Sequence, residues 1–242
     1  MKTFPVLVLA SAIAMVSACS SDDDDNDSSG TDDTTTVAEA GSFQISITNM
    51  TTNHLMTAPV VALHDPSVHL FQVGEVSEDP IRDIAETGDS LALETLAGGL
   101  DEVSAAGVAG ATPVFPNTEV TINLETDQAG QVLSLVNMVI CTNDGISGVD
   151  SMALPADNNP VTVMAMAYDA GTRENSNDAE SFFPAPCRTG DTVPNAETSP
   201  RVGIAAHPGQ TVVNNNDNAP ITTDNWDLAA GAEVLMITVT RN

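Results

Sequence analysis

The hydrophobic residues of this chain recur with a period of two over several short stretches. Phe43, Ile45 and Ile47 alternate with polar residues, which is the pattern of a strand with one buried face. Residues 57–64 are apolar on both faces, which indicates a central strand. Four more apolar or alternating stretches predict strands at residues 119–125, 132–141, 161–168 and 232–241.

The pattern changes between residues 73 and 100, where apolar residues fit short helical turns. These residues are Ile81, Ile84, Ala85, Leu91, Leu93 and Leu96, and the turns are broken at Gly88-Asp89 and Gly98-Gly99. The turn at residues 127–130 predicts a hairpin between the two stretches beside it. Residues 171–200 and 210–227 are polar and predict long loops. Together these features predict an all-β fold, an antiparallel β-sandwich with a short helical insertion, over residues 42–242.

The charge of the chain is strongly acidic. Six Lys and Arg face thirty-four Asp and Glu, so the net charge is −28. Such a surface repels nucleic acid and anionic lipid, which excludes nucleic-acid binding. Two explanations of the acidity remain open, which are solvation in salty surroundings and an affinity for divalent cations.

The first residues have the features of a removable leader. Lys2 precedes an apolar run too short to span a bilayer, and residues 1–18 end in small residues before Cys19. This segment resembles a bacterial lipobox, which implies that Cys19 is acylated and anchors the chain to a membrane. Ser20 after the cysteine resembles the sorting pattern for the outer membrane of Gram-negative cells. The alternative is an ordinary secretory leader in which Cys19 is incidental.

Two further features of the exported chain are an acidic segment after the leader and a pair of cysteines. Residues 19–41 are acidic and lack periodicity, which predicts a disordered tether. Cys141 and Cys187 remain in an oxidising compartment, where either a disulfide or two buried thiols fit the sequence. Neither belongs to a zinc-binding pattern.

No enzyme motif is present in the sequence. The nucleophile turn, the metalloprotease helix motif and the phosphate-binding glycine loop are all missing, so we expect a non-catalytic protein. The four histidines are scattered. His64 and His69 lie around a predicted turn, where packed and hydrogen-bonded histidines are more common than metal ligands.

Aspartates at predicted strand ends are the best candidates for a binding site. Asp144, Asp150 and Asp169 lie at or just after strands, and loops at one end of a sandwich cluster in space. Oxygen ligands on loops suit Ca²⁺, which accepts irregular coordination. Turn capping explains the same aspartates, so the spacing leaves both interpretations open.

Several motifs together resemble the spondin N-terminal domain family, in its bacterial branch. In chain order they are VVALHDPSVHLFQVGE, AETGDS, TNDGISGVDSMALP, AYDAGTRENSND, AAHPGQ and EVLMITVTR, and they are spread over most of residues 43–242. The resemblance implies a calcium-binding β-sandwich similar to calcium-dependent membrane-targeting domains. The animal members of the family are extracellular-matrix and adhesion proteins.

The resemblance also implies a set of calcium ligands. Asp144 and Asp169 match aspartates of the two main family motifs, Glu125 matches an upstream Leu-Glu position, and Asp150 matches the aspartate of Val-Gly-Val-Asp-Ser, where turn capping is equally consistent. In two places the sequence departs from the family pattern. Gly145 and Ile146 replace an aromatic pair, and Arg173 replaces a second aspartate, with Glu174 beside it.

Three functions follow as hypotheses. The first is a lipid-anchored, calcium-binding module on the bacterial surface that contacts glycan, matrix or a surface protein. The second is a structural domain in which calcium only rigidifies loops. The third is a hydrolase with calcium as a Lewis acid, and it lacks a nucleophile and base in the sequence.

Overall fold

A computed structural model describes residues 38–176, 182, 186–187, 201–211 and 226–242. These residues belong to one compact unit, Thr36–Asn242. The predicted leader, Cys19, nearly all of the predicted tether and most of the two predicted long loops lie outside the described residues. Among the helices described, none has the length and apolar character needed to cross a membrane.

The described residues form nine strands and two short helices. The strands are β1 (Gly41–Asn49), β2 (Val60–His64), β3 (Val103–Val108), β4 (Glu119–Thr126), β5 (Val132–Met138), β6 (Gly145–Ala153), β7 (Val161–Asp169), β8 (Ala205–Ala206) and β9 (Glu233–Arg241). The helices are α1 (Asp79–Thr87) and α2 (Leu91–Ala97). The prediction of an all-β fold with a short helical insertion is confirmed.

The strands pair in the order β3-β2-β5-β6-β7-β9-β1-β4, and every pair is antiparallel. This order has two halves, β3-β2-β5-β6 and β9-β1-β4, and β7 belongs to both. Residues 161–166 of β7 pair with β9, residues 167–169 pair with β6, and residues 168–169 also pair with β8. At the other edge β3 contacts β4. The strands therefore wrap around a common core and bring the ends of β5, β6 and β7 together.

The main core fills the space between the two halves of the sheet. Phe43, Ile45 and Ile47 of β1 are buried, as their alternation predicts, and they belong to one apolar cluster with Leu133 and Leu135 of β5. Strand β2 is buried at every position and lies between β3 and β5, which confirms the prediction of a central strand.

The two helices cover the outer face of the half that contains β2, β5 and β6. Ile81, Ile84 and Ala85 of α1 are buried in a second apolar cluster, as predicted. In α2 only Leu93 of the three predicted leucines is buried, because Leu91 and Leu96 point to solvent at 65% and 49% exposure. A helix of two turns has one short packed face, so it cannot bury all three.

The predicted hairpin between residues 119–125 and 132–141 is wrong. Strand β4 pairs with β1, whereas β5 pairs with β2 and β6. The turn between β4 and β5 instead crosses from one half of the sheet to the other, and its Gly130 N–H donates to the Ala38 carbonyl at 2.8 Å. The alternating residues of β4 suit an edge strand, while β5 is buried on both faces and takes a central place.

Candidate functional site

The candidate site begins at the turn between β5 and β6. The Thr142 hydroxyl donates to the Val139 carbonyl at 2.6 Å and accepts the Gly145 N–H at 2.8 Å, so this side chain closes the turn. A Cβ atom on Gly145 would collide with the Thr142 side chain, which explains the glycine after Asp144. The turn thus fixes the backbone on both sides of the predicted ligand.

Asp144 is buried and firmly held. Its Oδ2 accepts the Thr172 N–H at 2.8 Å, the Arg173 N–H at 2.9 Å and the Thr172 hydroxyl at 3.2 Å. Its main-chain carbonyl also accepts the Ala170 N–H at 3.2 Å. No described residue donates a hydrogen bond to Oδ1, so one oxygen is fixed by three donors and the other remains available.

Asp169 lies at the end of β7, directly opposite Gly145 in the β6–β7 pairing. Its Oδ1 accepts the Gly171 N–H at 2.7 Å, and its Oδ2 accepts the Asn175 side-chain N–H at 2.6 Å. Gly171 has φ +66°, and a Cβ there would collide with the Val202 carbonyl, so the sharp turn after β7 requires glycine. Adjacent strands thereby bring Asp144 and Asp169 to one place.

The two carboxyl groups interact electrostatically. Burial, together with the nearby charge of Asp169, raises the pKa of Asp144 to about 6, although the hydrogen bonds from Arg173 and Thr172 act in the opposite direction. Among the ion pairs of the described residues, none includes either carboxylate. The pair therefore has negative charge without a compensating cationic side chain of the described chain.

A polar cavity of about 300 Å³ lies beside the pair. Asn143, Asn175, His207 and Gln210 line it together with residues 176, 208 and 209. The Asn143 amide donates to the Glu174 carbonyl at 2.7 Å, but its buried Oδ1 has no hydrogen-bond partner. A buried acceptor without a partner is costly, so this oxygen marks a position where a ligand would be favourable.

His207 places an imidazole ring in the lining of this cavity. Its Nδ1 accepts the Gly209 N–H at 3.1 Å, so the proton of the neutral ring is on Nε2. Burial lowers the pKa of His207 even though the charge of Asp169 acts the other way. The ring is consequently neutral at pH 7.

A disulfide joins the site to the segment around residue 187. Cys141 and Cys187 are both buried and are bonded, with their Cα atoms 5.1 Å apart. Gln210 donates to the Cys141 carbonyl at 2.8 Å and to the Trp226 carbonyl at 2.7 Å. Of the two alternatives that the sequence left open for the cysteines, the structure contains the disulfide.

Glu125 does not lie near Asp144 and Asp169. It pairs with Ser42 in the β1–β4 ladder and is exposed, at the same end of the sheet as Val161. Asp169 is at the other end of β7, a nine-residue strand that spans about 26 Å at roughly 3.3 Å per residue. The predicted third carboxylate is therefore not part of this site. The sequence places Glu125 near the end of β4 but does not show which strand β4 pairs with.

Asp150 belongs to a different cluster, on the β5–β6 ladder. Its Oδ2 accepts from His69 Nδ1 at 2.7 Å, and its Oδ1 accepts the Ser134 hydroxyl at 3.2 Å. Ser134 also accepts the Ser151 N–H and contacts His64 Nε2 at 2.7 Å. Asp150 lies within β6 beside a bulge of the β5–β6 ladder and accepts hydrogen bonds from side chains, so it neither caps a turn nor faces Asp144. His64 is packed and hydrogen-bonded, as predicted.

In the part of the chain that the structure describes, no group of three or more His, Cys, Asp or Glu side chains is arranged to hold a metal ion. The site has two carboxylates, and the remaining polar groups near it are amides, an imidazole and main-chain groups.

The family model Spondin_N, the spondin N-terminal domain, matches residues 47–200 of the chain. The chain belongs to the spondin N-terminal domain family. A search of curated proteins finds no match.

The match to this family includes Asp144 and Asp169 but ends before His207 and Gln210. The spondin N-terminal domain is an extracellular and non-catalytic type of domain. Gly145 and Ile146, which replace the aromatic pair of the family, are both buried and so offer no recognition surface.

Several site residues have no individual signal in the sequence. Asn143, Thr172 and Asn175 adjoin the predicted ligands, but only the folded loops show which atoms they contact. His207 and Gln210 lie in the AAHPGQ motif that helped to indicate the family, and that motif was the available sign of their importance.

Proposed function

We propose that this spondin domain binds Ca²⁺ through Asp144 and Asp169 and acts as a non-catalytic recognition module outside the cytoplasm. The observation that carries the proposal is the buried pair itself. Burial and the nearby charge of Asp169 raise the pKa of Asp144, and no cationic side chain among the described residues pairs with either carboxylate. A divalent cation would supply the missing positive charge.

The oxygen atoms around the pair suit a hard cation as ligands. Asp144 Oδ1 receives no hydrogen bond from the described residues, and Asn143 Oδ1 is buried without a partner. Carboxylate and amide oxygens are the ligands that Ca²⁺ prefers, and main-chain carbonyls and water complete its six to eight positions. Two carboxylates and one amide give an incomplete protein shell, so we expect several water ligands and modest affinity.

The recognition role is supported by the position of the polar cavity. Asn175 links the cavity to the carboxylate pair, because it lines the cavity and its amide donates to Asp169. A cation at the pair would thus stabilise a wall of the cavity. A glycan, a matrix component or a surface protein would meet hydroxyl, amide and imidazole groups there, and the predicted acyl group on Cys19 would hold the domain at the membrane.

A purely structural role for calcium is the second candidate. It is favoured by the hydrogen bonds from residues 171–173 and 175 to the two carboxylates, since a cation would clamp this segment whatever the cavity contains. Attachment of the protein to glycan and matrix arrays with calcium and with a chelator separates the two roles. Calcium-dependent attachment supports recognition, whereas unchanged attachment supports the structural role.

The cation site is tested by thermal unfolding with and without calcium. Calcium should raise the melting temperature of the wild-type protein, because a ligand of the native state stabilises it. The rise should disappear in the Asp144→Asn and Asp169→Asn variants. Glu125→Gln is the matched control, since it removes an exposed carboxylate at the far end of the sheet. An equal rise in all four proteins would rule out this site.

A further inference from the structure

A second cavity, lined in part by the ends of α1 and β5, is apolar and larger than the polar one. Its volume is about 550 Å³, within the range of small-molecule sites. Its apolar lining comes from separate segments of the chain, through Leu55, Pro113, Phe115, Met138, Ile140 and Pro186. Neither Asp144 nor Asp169 lines it, so this cavity is distinct from the proposed cation site.

The cavity lacks charge in a chain that is rich in it. No described residue in its lining is acidic or basic, although the whole chain has a net charge of −28. An anionic ligand would be repelled by the surrounding protein, and a cationic ligand would find no counter-charge inside. The lining therefore selects an uncharged ligand.

Two threonine hydroxyls add a polar component to the lining. Thr57 Oγ1 accepts the Met138 N–H and Thr112 Oγ1 accepts the Ala58 N–H, each at 2.9 Å. Within the described residues neither hydroxyl donates its own hydrogen. Both hydroxyls can consequently donate to an acceptor such as a carbonyl or ether oxygen on a ligand.

The disulfide holds two walls of the cavity in place. Ile140 and Pro186 directly precede Cys141 and Cys187, and the disulfide between those cysteines holds the two lining residues near each other. Phe115 contributes an aromatic ring to the lining and is nevertheless 56% exposed to solvent. A large exposed aromatic beside a preformed apolar cavity is typical of a binding site.

We propose that this cavity binds an uncharged, largely apolar small molecule. The ligand would bury the Phe115 ring, and a ligand with a carbonyl or ether oxygen would also accept a hydrogen bond from Thr57 or Thr112. This site is independent of the proposed calcium site, and its occupancy does not depend on calcium.

The test uses fluorescence titration of the full-length chain with N-phenylnaphthylamine, a neutral apolar probe, in the presence of a calcium chelator. Its sulfonated relative, anilinonaphthalenesulfonate, has the same aromatic skeleton with a negative charge. We expect saturable binding of the neutral probe with one site per chain and at least about tenfold weaker binding of the anionic one, because its charge would be desolvated without a partner.

Two variants locate the probe. Phe115→Ser removes an apolar wall and should weaken binding by about fivefold or more through lost apolar contact. Thr87→Trp should weaken binding by a similar factor for a different reason, because the indole ring occupies space at the rim that the probe needs. Leu91→Ser is the matched control, because Leu91 is also a large exposed apolar residue but lies on α2 outside the cavity. The wild type and all variants share the same apolar N-terminal segment, so probe binding to that segment contributes equally to every titration.

Equal affinity for the two probes would overturn the proposal, and so would wild-type affinity in both Phe115→Ser and Thr87→Trp. The melting temperature of each variant shows that it is folded. Since the titration is done without calcium, a failure here is distinguishable from a failure of the cation site.

Discussion

The Asp144 carboxyl group and the Asp169 carboxyl group lie at the ends of neighbouring strands, and burial together with the nearby charge of Asp169 raises the pKa of Asp144. Strand pairing places Asp169 opposite Gly145, one residue after Asp144. The loop after β7 then supplies hydrogen bonds to both carboxylates. Because a single loop contacts both groups, binding at the pair and order in that loop are coupled.

The raised pKa of Asp144 predicts a pH-dependent stability in the absence of calcium. The folded pKa is about 6 and the ordinary value is 3.8, so the folded chain binds this proton more tightly than the unfolded chain. The contribution of this one group to stability is then greatest below pH 4 and falls by up to about 3 kcal/mol as the pH rises through 6. The loss is complete about one pH unit above the folded pKa.

Asp144→Asn should remove that loss, because an amide does not ionise. In a chelator at pH 7.5 the variant should be more stable than the wild type by up to about 3 kcal/mol, and near pH 4 the two should be similar. Denaturant unfolding at both pH values measures the free energy of unfolding of each protein. The contributions of the many other acidic groups cancel in the difference between the two proteins. An identical pH dependence in the two proteins would show that Asp144 does not titrate as described.

The disulfide should make a large contribution to stability. It closes a loop with a sequence separation of 46 residues, for which chain entropy gives about 4 kcal/mol. We expect the Cys141→Ser, Cys187→Ser double variant to lose stability of about this size in denaturant unfolding. Reducing the wild type should produce a similar loss, and a loss well under 1 kcal/mol would contradict an intact bond.

Ser134 should be more important for stability than an ordinary buried serine. Its hydroxyl contacts His64, Asp150 and the Ser151 N–H, so Ser134→Ala removes this partner from the buried His64 ring and from the Ser151 N–H. We expect a loss of about 1–3 kcal/mol in the free energy of unfolding. Ser147→Ala is the control, because the Ser147 hydroxyl has one bond, to the Met166 carbonyl. Equal losses in the two variants would show that the network adds nothing.

Strand positions with a clear hydrophobic period were predictable from the sequence. The alternation around Ile45 and the apolar run ending at His64 each determine burial directly, and strands form at both. Strand β6 was missed because its first residues, Gly145 to Gly148, have the composition of a turn. Strand β3 was missed because its small residues give a weak hydrophobic pattern.

The partners of each strand were not predictable in the same way. Period and composition say which face of β4 is buried but not whether its neighbour is β1 or β5. That choice decided the position of Glu125, which shares the end of the sheet with Val161 rather than with Asp169. The pair of Asp144 and Asp169 was predictable because a family motif covers each of them, whereas Asn143 Oδ1 became apparent only from its burial without a partner.

Isothermal titration calorimetry of the purified protein with Ca²⁺ tests the cation site most directly. We expect one Ca²⁺ per chain for the wild type and for Glu125→Gln, with binding lost in Asp144→Asn and Asp169→Asn. Asn143→Ala should weaken binding if its free oxygen is a ligand. No binding by the wild type, or unchanged binding by both aspartate variants, would contradict calcium binding at Asp144 and Asp169.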